Sequence, residues 1–193
     1  MFKTVTLKTL FAVAALVLMA SPARATLYNG SYTVTSNNNP ATGLAVMTIN
    51  DFGAATANPN TNTFTGLNVA PLVPHFVDLF ELFALEPSPY SGNDLVPQPI
   101  SVTFNFTSPS ALSGTISGTT AGILGDDALL HWLAPINLNF PTGKLTITLL
   151  DAPFSDFFNG VVTAVFVPEP GTGLLMLLSL AGVVHSRQRR HRG

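Results

Sequence analysis

Polar and apolar residues alternate with period two over Ile100-Ser101-Val102-Thr103-Phe104-Asn105-Phe106-Thr107, the pattern of a strand with one buried and one wet face. Ile136–Phe140 and Leu145–Leu149 repeat it. The Pro141-Thr142-Gly143-Lys144 stretch between them supplies turn chemistry, so these two segments predict a hairpin. Ser31–Thr35, Leu44–Ile49, Thr63–Asn68 and Leu112–Thr119 are shorter candidates, each bounded by Gly, Pro or Asn. Val161–Val167 is apolar on both faces and rich in β-branched residues, which places it inside a sheet and ending at Pro168. Short strands with frequent turns predict an all-β chain of about eight strands, an antiparallel β-sandwich or jelly roll rather than an α/β plan.

One stretch breaks the period. In His75–Glu86 the polar residues fall at 75, 78, 81 and 86, between Pro74 and Pro87, a spacing nearer a helical repeat than a strand. The expectation is one short helix closing an end of the sandwich. Its excess of large apolar side chains leaves open a lip that docks a membrane or a partner. The segments 87–99 and 58–62 read as loops.

The two ends of the chain are of a different kind. Lys3 and Lys8, an apolar run from Leu10 to Ala20, and Ala23-Arg24-Ala25 have the form of a signal peptide cut after Ala25, with Ala23 and Ala25 as the signal-peptidase site. At the other end stand Val167-Pro168-Glu169-Pro170, an uncharged apolar run, and arginines at Arg187, Arg189, Arg190 and Arg192. The prolines lack backbone donors and resist helix, so the tripeptide is expected to stay extended and accessible. The run from Gly171 to Val184 spans about 21 Å as helix against roughly 30 Å of hydrocarbon, short for a permanent span. A terminal core helix would be amphipathic and would hardly carry an arginine tail, which favours a membrane-held end; a short span with snorkelling flanks stays open. The order of these parts resembles the PEP-CTERM sorting signal, and the resemblance covers residues 167–193. It implies a C-terminal membrane helix and recognition at Pro168, Glu169 and Pro170 by exosortase, a membrane-embedded cysteine transpeptidase-like enzyme. The implied owner is an exported protein of a Gram-negative bacterium that makes exopolysaccharide. The domain plan is therefore a signal peptide at 1–25, a β-sandwich domain at 26–167 and a sorting signal at 168–193. The chain is expected to touch the inner membrane transiently and to reach the cell surface or the extracellular space.

Charge sharpens this picture. The whole chain has a formal charge of −2, but residues 26–167 hold one base, Lys144, against nine acids, a net charge of −8. With no basic patch to neutralise phosphates, nucleic acid is excluded as a partner. The absence of cysteine removes disulfides and thiol chemistry. His75 and His131 are the only histidines before the tail, and no Gly-x-Ser-x-Gly elbow accompanies a serine, so nothing assembles a hydrolase triad. Carboxylates are plentiful, but the sequence does not single out which two would face each other across a cleft, as glycoside hydrolysis needs. Calcium is the better-suited ion: Ser91, Asn93 and Asp94 lie in one loop, Asp126 and Asp127 in another. Neither matches EF-hand spacing, so no metal site is assigned and no cofactor is expected. Ser101, Thr103, Asn105, Thr107, Asn137, Asn139, Thr146 and Thr148 are expected on outward faces, uncharged and able to hydrogen-bond exopolysaccharide or another copy of the sheet. The expectation is a non-enzymatic surface or matrix protein. A secreted carbohydrate-active or calcium-dependent glycan-binding module and a tail-anchored periplasmic protein are the alternatives.

Overall fold

The computed structural model describes residues 25–50, 54–55, 59–86, 89, 92–123 and 127–170. The signal segment up to Arg24, Asp126 and the tail from Gly171, including Arg187, Arg189 and Arg190, lie outside them. The described chain is all-β. Its strands are β1 (Thr26–Thr35), β2 (Val46–Asn50), β3 (Ala54–Ala55), β4 (Asn60–Val69), β5 (His75–Ala84), β6 (Gln98–Ser108), β7 (Leu112–Ile123), β8 (Asp127–Trp132), β9 (Ile136–Phe140), β10 (Gly143–Leu149), β11 (Ala152–Phe154) and β12 (Gly160–Pro170). They form two six-stranded antiparallel sheets, ordered β11-β8-β7-β6-β1-β4 and β3-β2-β5-β12-β10-β9.

The alternation becomes burial. On β6, Ile100, Val102, Phe104 and Phe106 point into the core, while Asn105 and Thr107 are exposed. Leu145, Ile147 and Leu149 of β10 and Val162, Ala164 and Phe166 of β12 supply the second sheet's inner face. Both faces join in one core cluster. At its centre Phe104 stacks beside Phe106 at 6.4 Å, and meets Phe166 of the other sheet edge-on, with ring centroids 6.1 Å apart. The predicted β9–β10 hairpin is present, with Leu145 opposite Leu138.

Three expectations are corrected. His75–Ala84 is a strand, not a helix, and among the described residues the only helical turn is a 3-10 turn at Gly92–Leu95. The cause is a bulge: on β12, Val162 pairs with Phe80 and Thr163 with Asp78, leaving Leu79 as an extra residue. Leu79 and Phe80 are therefore both buried, and the alternation changes phase between them. Polar residues at 75, 78 and 81 then imitate a helical spacing. The bulge is tied across the core, since the Tyr32 hydroxyl of β1 donates to the Leu79 carbonyl and accepts from Asn62 at 3.2 Å.

Second, the 58–62 loop ends early. Asn60 already starts β4, buried, with its amide donating to Thr48 Oγ1 of the second sheet at 3.1 Å. Likewise β6 starts at Gln98, inside the stretch read as a loop. Third, Pro168 does not end the last strand. β12 runs on to Pro170, three residues past the expected domain boundary, and Leu145, Lys144 and Gly143 of β10 lie opposite Pro168, Glu169 and Pro170.

The registers bring both termini of the described chain to one end. Thr26 at the start of β1 pairs with Val69 at the end of β4, and the turn 70–74 then leads into β5. There His75 lies opposite Phe166, shortly before β12 leaves the sheet. The Leu72 amide, within that turn, donates to the Pro168 carbonyl at 3.0 Å.

Candidate functional site

The Pro168-Glu169-Pro170 segment shows how two prolines fit a strand. A residue's N–H and C=O point to the same side, and the Pro168 carbonyl faces Leu72, away from β10. Pro168 and Pro170 therefore place their missing donors on the side where pairing to β5 stopped at Phe166, and no ladder bond is lost. Glu169, between them, faces β10 with its backbone. Its carboxylate meets Lys144 Nζ at 2.8 Å, so the single base of residues 26–167 is spent on the tripeptide. Both side chains are well exposed, which keeps this pair in the weak class of about 0–1 kcal/mol. The tripeptide is extended as expected but not freely accessible: Pro168 is buried and one backbone edge is taken by β10. Ala25, the last residue of the expected signal-peptidase site, is exposed just ahead of β1, while Ala23 is outside the described residues.

A second feature spreads over the first sheet. β7, β6, β1 and β4 are neighbours, and none carries an acid, a base or a histidine. Their outward residues fall into rows across the strands. One row is Thr115, Thr103, Thr33 and Thr61; the next is Ser113, Asn105, Ser31 and Thr63. Hydroxyls link neighbours within the first row, at 2.9 Å for Thr103 with Thr115 and 3.0 Å for Thr33 with Thr61. The strand spacing of about 4.8 Å sets the pitch along a row. Such a face is a grid of hydroxyl and amide groups on strands without a charged side chain. Asn137, Asn139, Thr146 and Thr148 lie instead on the second sheet, where Thr146 donates to Asn137 at 2.7 Å.

The acids are elsewhere. Asp78 accepts from Thr163 at 2.6 Å, Glu81 from Asn159 at 2.6 Å, and Glu86 from the Ala45 amide at 3.0 Å. Of the calcium candidates, Asp94 is buried with one carboxylate oxygen lacking a hydrogen-bond partner, whereas Asp127 is exposed at the start of β8. Among the described residues no three His, Asp or Glu side chains gather closely enough to hold a metal ion.

One pair escaped the sequence reading. His131 Nδ1 lies 2.7 Å from Asp151 Oδ2, and the Trp132 amide donates to the other carboxylate oxygen at 2.8 Å. Partial burial alone would raise the Asp151 pKa, but the hydrogen bonds from Trp132 and His131, with the attraction of the imidazole, together hold it below its ordinary value. The pair orients a ring as a catalytic dyad does. Among the described residues, however, no serine or threonine hydroxyl is hydrogen-bonded to that imidazole, and both side chains are about half exposed. It acts as a clasp joining β8 to the segment before β11. At a separation of 20 positions, the two carry no sequence signal that would pair them.

No family model, curated protein or solved structure matches this chain. Among the described residues no helix is long and apolar enough to cross a membrane.

Proposed function

We propose that the chain is an exported, non-enzymatic surface or extracellular-matrix protein, sorted by exosortase in a Gram-negative bacterium that makes exopolysaccharide. The observation that carries the reading is the order of parts at this end of the chain: Pro168-Glu169-Pro170 as the last residues of β12, then an uncharged apolar run, then the arginines. Signal peptidase removes residues 1–25, the tail holds the protein at the inner membrane, and cleavage near the tripeptide releases it. The two sheets form a β-sandwich of jelly-roll type whose neutral hydroxyl grid meets exopolysaccharide or another copy of the protein. Supporting this use, the grid avoids the acids that give residues 26–167 their charge of −8, so an acidic glycan meets least repulsion there.

Replacing Pro168-Glu169-Pro170 by three alanines tests the sorting step: a heavier form retained in the membrane is expected. A wild-type level of released protein from that variant refutes it. The unpartnered buried oxygen of Asp94 favours a second reading, a calcium-dependent glycan-binding module. Retention on the host's own exopolysaccharide only when calcium is present would select that reading over the first.

A further inference from the structure

We infer that the β4–β5 turn seats the domain on the bilayer, with Leu72, Val73 and Phe76 resting in the interfacial layer while the tail holds the chain. The inference rests on the proposal that residues 171–193 form a membrane-held tail. Leu72 is 69 % exposed, Val73 55 % and Phe76 63 %, and Leu27 of β1, opposite Asn68 in the last residues of β4, is exposed as well. Leu72 also has a φ of 62°, the left-handed region where a side chain is disfavoured and glycine is the usual occupant. The chain thus carries a large apolar side chain, directed outward, at a position where its backbone resists one. Such strained positions gather where a side chain has work to do.

Position identifies the occupant. The Leu72 amide is bonded to the Pro168 carbonyl, so this turn is fixed to the last described residues of the chain. Only Gly171, Thr172 and Gly173 separate Pro170 from Leu174, and three extended residues reach about 10 Å. The polar layer on each side of the hydrocarbon is roughly 5–8 Å thick, taken from the difference between total and core thickness. A tail that enters the bilayer at Leu174 therefore draws the turn 70–74 to the membrane surface. The signal segment leaves from this same end, because Thr26 pairs with Val69.

Charge points the same way. Lys144 and Glu169 neutralise one another, Asp78 is held by Thr163 and Glu81 by Asn159, and His75 is the remaining titratable side chain on the strand that starts here. Among the described residues no cationic cluster stands at this end to seek anionic headgroups, so apolar contact with the interface of a neutral lipid suffices. Phe157 is more exposed still, at 84 %, but it precedes Gly160, which begins β12 at the opposite end of that strand. It serves as the internal control.

The chain has no cysteine, so single replacements carry a unique label. Full-length Phe76→Cys, Phe157→Cys and Ser179→Cys variants, each bearing an environment-sensitive fluorophore, are reconstituted into phosphatidylcholine vesicles with and without nitroxide-labelled lipid. Val73→Cys replaces Phe76→Cys should the latter fail to fold. The expected result is a blue shift and nitroxide quenching at 179 and 76, with 157 unchanged. Quenching at 179 with position 76 still in water overturns the seating surface and leaves the membrane-held tail standing. No quenching at 179 overturns both. Equal quenching at 157 and 76 shows unselective adsorption and overturns it. A shift at 76 that grows with protein concentration but is insensitive to nitroxide assigns the patch to a second copy of the chain and also overturns it.

Discussion

Truncating Phe104 to alanine removes the ring on which the two sheets meet. Phe104 is completely buried, and its ring lies 6.4 Å from those of Tyr32 and Phe106 on its own sheet and 6.1 Å from Phe166 on the other. Loss of a buried phenylalanine side chain typically costs about 3–5 kcal/mol, combining lost transfer free energy with the cavity left behind. With an edge-on ring from the other sheet and a tilted and a stacked ring on its own, little collapse is available, and the upper half of that range is expected. A domain of this size has roughly 5–15 kcal/mol in all, and each kcal/mol moves its melting temperature by about 2–4 °C. The melting temperature of Phe104→Ala should therefore fall by about 8–20 °C, with the urea midpoint falling in step. Asn105→Ala, one residue along on the wet face, is the matched control and should stay within about 0.5 kcal/mol of wild type. Equal destabilisation of the two variants, or a Phe104→Ala loss below about 1 kcal/mol, would refute the shared core and the register that builds it.

Two further outcomes follow from particular contacts. Tyr32→Phe leaves the Leu79 carbonyl in the β5 bulge without its donor, and should cost about 1–3 kcal/mol in urea unfolding; a neutral result would mean that water or a shifted strand supplies the bond. Asp151 has a pKa held below the ordinary 3.8, so its contribution is present above that pH and is lost as pH falls through the lower folded value. The stability difference between wild type and Asp151→Asn should accordingly shrink as the pH falls through the carboxylate range; a difference that grows in acid would mean the clasp does not favour the carboxylate.

The parts of the fold that were legible in the sequence are those whose side chains report directly on a face. Ile100–Phe106 and the β9–β10 hairpin show their burial through simple alternation. β5 hides it, because a single extra residue at Leu79 inverts the phase halfway along, and the bulge is set by pairing with β12, far along the chain. The strand character of Pro168-Glu169-Pro170 was hidden for a related reason. Whether a proline's missing donor matters depends on which edge is paired, and this is a property of the register. At the candidate site, the uncharged character of the outward faces was readable, as was the surplus of acids. Its assembly into rows was not, since Thr33, Thr61, Thr103 and Thr115 come from four separate strands. The separation of Thr103 and Asn105 from Asn137 and Thr146 onto different sheets was equally hidden.

The sorting proposal is tested most directly by the intact mass of wild-type protein recovered from the host's outer surface or medium. The expected mass is that of a chain beginning at Thr26 and ending near Pro168-Glu169-Pro170, without the arginines of the tail. A mass that still includes Arg187 to Gly193, in whatever compartment the protein is found, contradicts sorting and leaves the tail as an anchor alone.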